Sequence, residues 1–220
     1  MKYKTYKKYK PSGIEWLGEI PEEWEMKRLK YISEINMGQS PDSKYNNDLG
    51  VGYPFLQDNA DISIKYPFPK QFTTIANKLS KKGDLLFSVR APVGALNESD
   101  NNYAIGRGLF AITPKLIISS LLWYSIDIVK SEMDIISTGS TFESVSGNDI
   151  ENSTIPLPPL SEQKAIADFL DTETLKIDNL IEKAKQTIEL SKEKRQALIS
   201  SAVTGKIDVR GVCGNVLQYG

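Results

Sequence analysis

Apolar positions along this chain follow two different rhythms. In the first two thirds they come in short bursts closed off by Gly, Pro, Asn and Asp, as in Tyr53-Pro54-Phe55-Leu56 and Asp84-Leu85-Leu86-Phe87-Ser88-Val89. Bursts of this kind predict strands ended by turns. One stretch here has helical spacing instead. Leu122, Ile126, Val129 and Met133 share a face, and Ser119-Ser120 can cap it, so a helix is predicted through Met133.

The rhythm changes after Pro156-Leu157-Pro158-Pro159. Three prolines in four residues fix φ and withhold backbone donors, so neither a helix nor a central strand is expected to run through. Ser161 is the expected N-cap of a long helix, with Glu162 in the first turn where a negative charge suits the helix dipole. No Pro or Gly then appears until Gly205, the expected C′ residue. The 43 residues Ser161–Val203 make a rod of about 65 Å as one helix. Alternating steps of three and four from Ala167 reach Leu170, Thr174, Ile177, Ile181, Ala184, Ile188, Ser191, Arg195, Leu198 and Ala202. That is a coiled-coil seam of about five heptads, interrupted by Thr174, Ser191 and Arg195. Leu175, Leu180, Leu190 and Ile199 are expected beside the seam, broadening it. The helix either folds back over its own domain or pairs with another helix; its apolar face exceeds what one small domain covers, which favours pairing.

The expected fold class is therefore α+β: a globular mixed α/β domain followed by one long coiled-coil helix. Its expected divisions are a lead segment (1–20), the domain (21–155), a Pro-rich lead-in with the helix (156–210) and a tail (211–220).

Composition narrows the class. With 220 residues, 40% hydrophobic and 25% charged, the chain has the profile of an ordinary globular protein. No stretch approaches the ~20 apolar residues that span a bilayer. No apolar run follows the lysine-rich start, so a secretory signal is not expected. The single Cys213 excludes an internal disulfide framework and fits a reducing compartment, so a cytoplasmic location is expected. A net charge of −1 does not announce a nucleic-acid binder. Only Met1–Lys10 is locally basic, with Lys2, Lys4, Lys7, Lys8 and Lys10 between Tyr3, Tyr6 and Tyr9. It lies along phosphates or is a solvated terminus.

Catalytic chemistry is hard to build from these residues. There is no histidine, which removes Ser-His and Cys-His schemes and His-ligated metal sites, and one cysteine cannot build a zinc site. No Walker loop, no G-x-G-x-x-G and no Asn/Asp-Pro-Pro-aromatic signature of adenine methyltransferases occurs; Gly106-Arg107-Gly108 is a fragment too short to count. Glu162-Gln163-Lys164 has the E-x-K form of many nucleases but lacks a matching aspartate strand. A non-catalytic chain without a metal site is expected.

Three segments in order resemble the specificity subunits of Type I restriction–modification enzymes. They are Tyr9-Lys10-Pro11-Ser12-Gly13-Ile14-Glu15-Trp16-Leu17-Gly18-Glu19-Ile20-Pro21-Glu22-Glu23-Trp24, then Lys82-Gly83-Asp84-Leu85-Leu86-Phe87-Ser88 with Gly94 following, then Ile155-Pro156-Leu157-Pro158-Pro159-Leu160-Ser161-Glu162-Gln163-Lys164-Ala165-Ile166. Gly139-Ser140-Thr141 and the ending Gly205-Lys206-Ile207 also fit. The resemblance implies a target-recognition domain followed by a spacer helix. Such a subunit usually has two such repeats with antiparallel helices; this sequence has one. A half-subunit that dimerises through antiparallel helices, a truncated product and a fragment are the readings it leaves. Leu170, Ile177, Ile181, Ala184, Ile188 and Leu198 are the expected dimer-helix residues. Implied partners are double-stranded DNA, modification (methyltransferase) subunits and a restriction/motor subunit. The resemblance also implies that this chain itself needs no cofactor, with S-adenosylmethionine, ATP and Mg expected on the partner subunits.

Base reading needs Arg for guanine and Asn or Gln for adenine. In loop-like context these are Gln39, Ser40, Gln57, Asn59, Arg90 and Arg107, with both arginines at junctions of apolar segments and turns. Lys44, Lys65, Lys70, Thr138, Ser140 and Thr141 are candidates for holding phosphates. Trp16 and Trp24 are expected to be packing anchors rather than base stackers. Competing readings are a coiled-coil DNA-binding or scaffold module without a restriction role, and a remnant methyltransferase–nuclease, which the missing motifs oppose.

Overall fold

The computed structural model of this chain describes residues 3–57, 61, 65–89, 93–137 and 146–210, without the side chains of 127 and 131–137. It divides into two compact units, Met1–Ala167 and Asp168–Gly220.

The first unit is built on an antiparallel sheet of four strands: β4 (Ser33–Met37), β11 (Leu109–Pro114), β8 (Leu85–Ser88) and β9 (Leu96–Glu98), in that spatial order. Side chains alternate across a strand, and here both faces are covered. Leu85, Phe87, Phe110 and Ile112 pack with Leu122, Ile126 and Val129 of α2 (Ser119–Ser137). Leu86, Leu109 and Ala111 pack on the other side with Leu56, Tyr103 and Ile105. Those belong to or adjoin a second four-stranded sheet: β10 (Ala104–Ile105), β6 (Tyr53–Leu56), β7 (Gln71–Thr73) and β5 (Asn46–Asn47). Burial on both faces explains why β8 reads Leu-Leu-Phe-Ser rather than alternating. Each such Leu or Phe contributes roughly 1.5–3 kcal/mol on burial. The β10–β6 pair is parallel; the other strand pairs of the described residues are antiparallel.

Smaller elements close the unit. The strand β1 (Tyr9–Pro11) pairs with β2 (Glu19–Pro21), and β3 (Glu25–Arg28) pairs with β12 (Thr154–Leu157). Pro156 opposes Met26 in that two-stranded ribbon, a setting that tolerates a missing N–H. The short α1 (Leu29–Ile32) and α3 (Gly147–Asn152) add Leu29, Ile32 and Ile150 to the helical side of the core. A capping box between Ser146 and Asp149 starts α3.

Both serine caps expected from the sequence are displaced. Helix α2 already includes Ser119, whose hydroxyl donates to the Gly83 carbonyl at 3.3 Å. Helix α4 (Leu160–Val203) begins one residue before Ser161, with the Pro159 carbonyl accepting from the Glu162 N–H at 2.8 Å. The controlling side chain at both starts is Gln163, only 1% exposed. Its Nε2 donates to the carbonyls of Leu116 (3.0 Å) and Pro158 (3.1 Å), and its Oε1 accepts from the Ile118 N–H at 2.9 Å. One amide thus satisfies the backbone at the start of α2 and before α4.

Glu162 is structural rather than nuclease-like. Its Oε2 accepts from Tyr6 Oη (2.8 Å) and Trp24 Nε1 (3.2 Å), while Tyr6 meets Trp24 edge to face at 5.8 Å. Trp24 is therefore a packing anchor, whereas Trp16 is 42% exposed. Partial burial, then the adjacent Glu162 carboxylate, pushes the Tyr6 phenol up to about 12.

In the second unit α4 continues with Lys176–Glu173 and Lys192–Glu189 ion pairs along its surface. It ends at Gly205, where φ is +70°. The Lys206 N–H reaches the Ser201 carbonyl (2.9 Å) and the Gly205 N–H reaches Ala202 (3.2 Å), a Schellman closure. The seam is exposed: Ile177, Ile181, Ile188 and Leu198 are 47–60% accessible. Leu180 and Ile199 flank it, but Leu175 and Leu190 do not. At 3.6 residues per turn they lie about 160° and 140° round from Ile177, on the opposite face. The broadening expected of those two leucines is thus corrected by helix geometry.

Replacing Gln163 by Ala strands one buried N–H and two carbonyls, so a stability loss of about 1–3 kcal/mol is expected as a lowered denaturant midpoint. Tyr6 supplies a pH dependence. Its folded value lies above the ordinary one, so its stabilisation is full below about pH 10 and is lost as pH rises through about 12. Trp24 fluorescence in a W16F/W123F background should report that alkaline step, and Y6F should abolish it.

Candidate nucleic-acid interface

The ends of strands from both sheets converge at one edge of the first unit. Gly38-Gln39-Ser40 follows β4, Gln57 follows β6, and Gly106-Arg107-Gly108 links β10 to β11. The backbone is knotted there. The Gly38 N–H donates to Leu109 O (3.0 Å), Gln39 N–H to Ile105 O (2.9 Å), Gly106 N–H to Leu56 O (2.7 Å) and Gly108 N–H to Gln57 O (3.3 Å). Side chains complete it. Ser40 Oγ donates to Gln57 Oε1 (3.3 Å) and accepts the Arg107 N–H (3.2 Å). The Gln57 N–H donates to Asp61 Oδ2 at 2.9 Å, and Asn77 Nδ2 to the Ser40 carbonyl at 3.3 Å.

Glycine is required because the chains nearly touch. A Cβ at Gly38 would sit 2.1 Å from the Gly106 carbonyl oxygen, and one at Gly106 would sit 2.8 Å from the Gln57 carbonyl oxygen. The Gly-Arg-Gly run that is too short for a nucleotide motif is a close-approach turn that presents Arg107.

Four of the expected residues, Gln39, Ser40, Gln57 and Arg107, therefore meet in one cluster although they are far apart in sequence. The lysines do not join it. Lys44 lies in the 3-10 turn Ser43–Tyr45, 3.0 Å from Asp42 and over the Tyr45 ring. Lys65 stands 3.8 Å from Glu98 on β9, at the edge of the sheet away from β4. Lys70 is exposed beside β7. Asn59, Arg90, Thr138, Ser140 and Thr141 lie outside the described residues. Asn77 and Lys78 are not legible as site residues in the sequence. Asn77 hydrogen-bonds into the cluster, and the Lys78 carbonyl accepts from Ile105 at 3.0 Å, leaving an exposed ammonium nearby. No local pattern marks either residue, because a loop after β7 brings them in.

Residues 21–190 match the family described as Type I restriction modification DNA specificity domain. The chain belongs to this family. It is similar to the "Putative type I restriction enzyme MjaX specificity subunit" of Methanocaldococcus jannaschii, 40% identical over 213 residues that cover 93% of this chain and 48% of that protein. Among solved structures it resembles the HsdS subunit from Thermoanaerobacter tengcongensis, with 32% identity, a TM-score of 0.71, and coverage of 90% of this chain and 48% of the other. It also resembles a chain from "Structural basis underlying complex assembly and conformational transition of the type I R-M system", with 35% identity, a TM-score of 0.77, and coverage of 83% and 46%. The chain spans about half the length of the curated relatives it matches. The α+β specificity-domain fold, a sheet-rich domain followed by a long helix, is thus common to this chain and those structures. Among the described residues no helix is long and apolar enough to cross a membrane.

A Gly38→Ala substitution in this specificity domain drives a Cβ into backbone that cannot rotate away. The expected result is a loss of about 1–3 kcal/mol or more, seen as a lower thermal midpoint.

Proposed function

We propose that this chain reads one half of a bipartite duplex DNA target for a Type I restriction–modification complex and contributes no chemistry of its own. The observation that carries this is the cluster of Gln39, Ser40, Gln57 and Arg107, residue types suited to base edges, on a locked junction of a specificity-domain fold. Modification subunits bearing S-adenosylmethionine methylate adenine, and a motor subunit using ATP and Mg cleaves. The Pro-rich lead-in and the outer face of α4, including Leu175 and Leu190, supply protein contacts for the modification subunits.

The seam, half-buried at Leu170 and exposed at Ile177, Ile181, Ala184, Ile188 and Leu198, pairs antiparallel with the same helix of a second copy. A two-fold pair presents one reading surface twice, so its target is palindromic with an unread gap. The arrangement suits the cytoplasm, where the DNA is.

Sequencing the methylome of cells that carry this chain with its modification subunit tests the reading. Methyladenine in a bipartite motif is expected, palindromic where two copies act together. Unchanged methylation despite a stable complex favours a scaffold module without sequence recognition.

A further inference from the structure

The side chains of the loop cluster are not equivalent. Ser40 Oγ is used twice, donating to Gln57 and accepting from Arg107, so the side chains of Ser40 and Gln57 are occupied with each other. Gln57 is also held through its backbone, its N–H on Asp61 and its carbonyl under Gly108. Gln39 and Arg107 show the opposite profile. Their N–H groups are fixed, one on the Ile105 carbonyl and one on Ser40 Oγ. Their side chains are exposed and make no hydrogen bond or ion pair among the described residues. The Gln39–Ile105 bond also sets Gln39 beside the strand end that leads directly into Arg107.

Base reading demands this combination. A main chain held in place keeps the reading group within a few tenths of an ångström of register, and terminal atoms without internal partners reach a base edge without first breaking a bond. Resting on the recognition reading above, we propose that Gln39 and Arg107 are the specificity-determining pair of this chain, with Ser40 and Gln57 as the residues that position them. The Arg107 guanidinium forks onto O6 and N7 of a guanine, and the Gln39 amide pairs with N6 and N7 of an adenine, both in the major groove of one half-site. A neutral amide next to a single guanidinium suits base edges better than phosphates, which are held by accumulated positive charge. The nearby cations divide accordingly. Lys44 lies outside the cluster and is engaged with Asp42, whereas Lys78 is exposed beside the cluster and takes the phosphate role at its rim.

The test is selection from a randomised duplex library with the full chain in complex with its modification subunit, comparing wild type with R107A, R107K, Q39A and K78A. R107A should lose preference for a G·C pair at one position, a change of about tenfold to a hundredfold between bases, and R107K should fail to restore it. Q39A should lose an A·T preference at a different position. K78A should weaken all sequences alike and lower the salt slope by about one, leaving the motif intact. A uniform loss in R107A that R107K rescues overturns the assignment and makes Arg107 a phosphate contact. A wild-type motif unchanged in both R107A and Q39A overturns the pair alone, whereas a wild-type complex with no motif at all overturns the recognition reading beneath it.

Discussion

Along β11 successive side chains point to opposite faces, and neither face meets water: Phe110 and Ile112 lie among the helices, Leu109 and Ala111 against the second sheet. A sheet so placed must be covered twice. The helical cover comes from α1, α2, α3 and the first turns of α4, which is why Ala167 belongs to this core. The second cover is the β10–β6–β7–β5 sheet, whose own chain ends must then emerge beside those of the first. The convergence of loops after β4, β6 and β10 results from stacking two sheets over one apolar layer.

Gln163 plays a comparable part on the helical side. A fully buried amide is tolerated only when its donors and acceptor are matched, and Gln163 matches them on Leu116, Pro158 and Ile118. It ties two helix starts that lie far apart in sequence. The E-x-K pattern that suggests nuclease chemistry is thus divided between a latch for Tyr6 and Trp24 and an internal clamp.

Long periodic segments are legible in the sequence because their pattern is redundant. The apolar bursts form β6 and β8, and the two helical stretches form α2 and α4. Strands as short as β5 and β10 carry no alternation to read, since two residues cannot show a period. The expected serine caps are displaced while Gln163, distant in sequence from α2 but within the first turn of α4, bonds the backbone just ahead of both helices. Leu175 and Leu190 lie near the seam in sequence, whereas helical angle decides the face. For the site, residue types are readable but their assembly is not: Ser40 and Arg107 stand 67 positions apart. The sharpest available hint is Gly106-Arg107-Gly108, whose glycines answer to neighbouring backbone rather than to a nucleotide.

The contact between Gly38 and Gly106 separates shape from surface. Among the described residues the bonds that hold the junction use main-chain atoms or the side chains of Ser40, Gln57, Asp61 and Asn77, and none uses the ends of the Gln39 or Arg107 side chains. Substitution at those two tips leaves the junction standing, while substitution at either glycine does not. The backbone geometry of the junction is thereby independent of the chemistry at those two tips, so the surface there can be exchanged while the main chain stays superimposable.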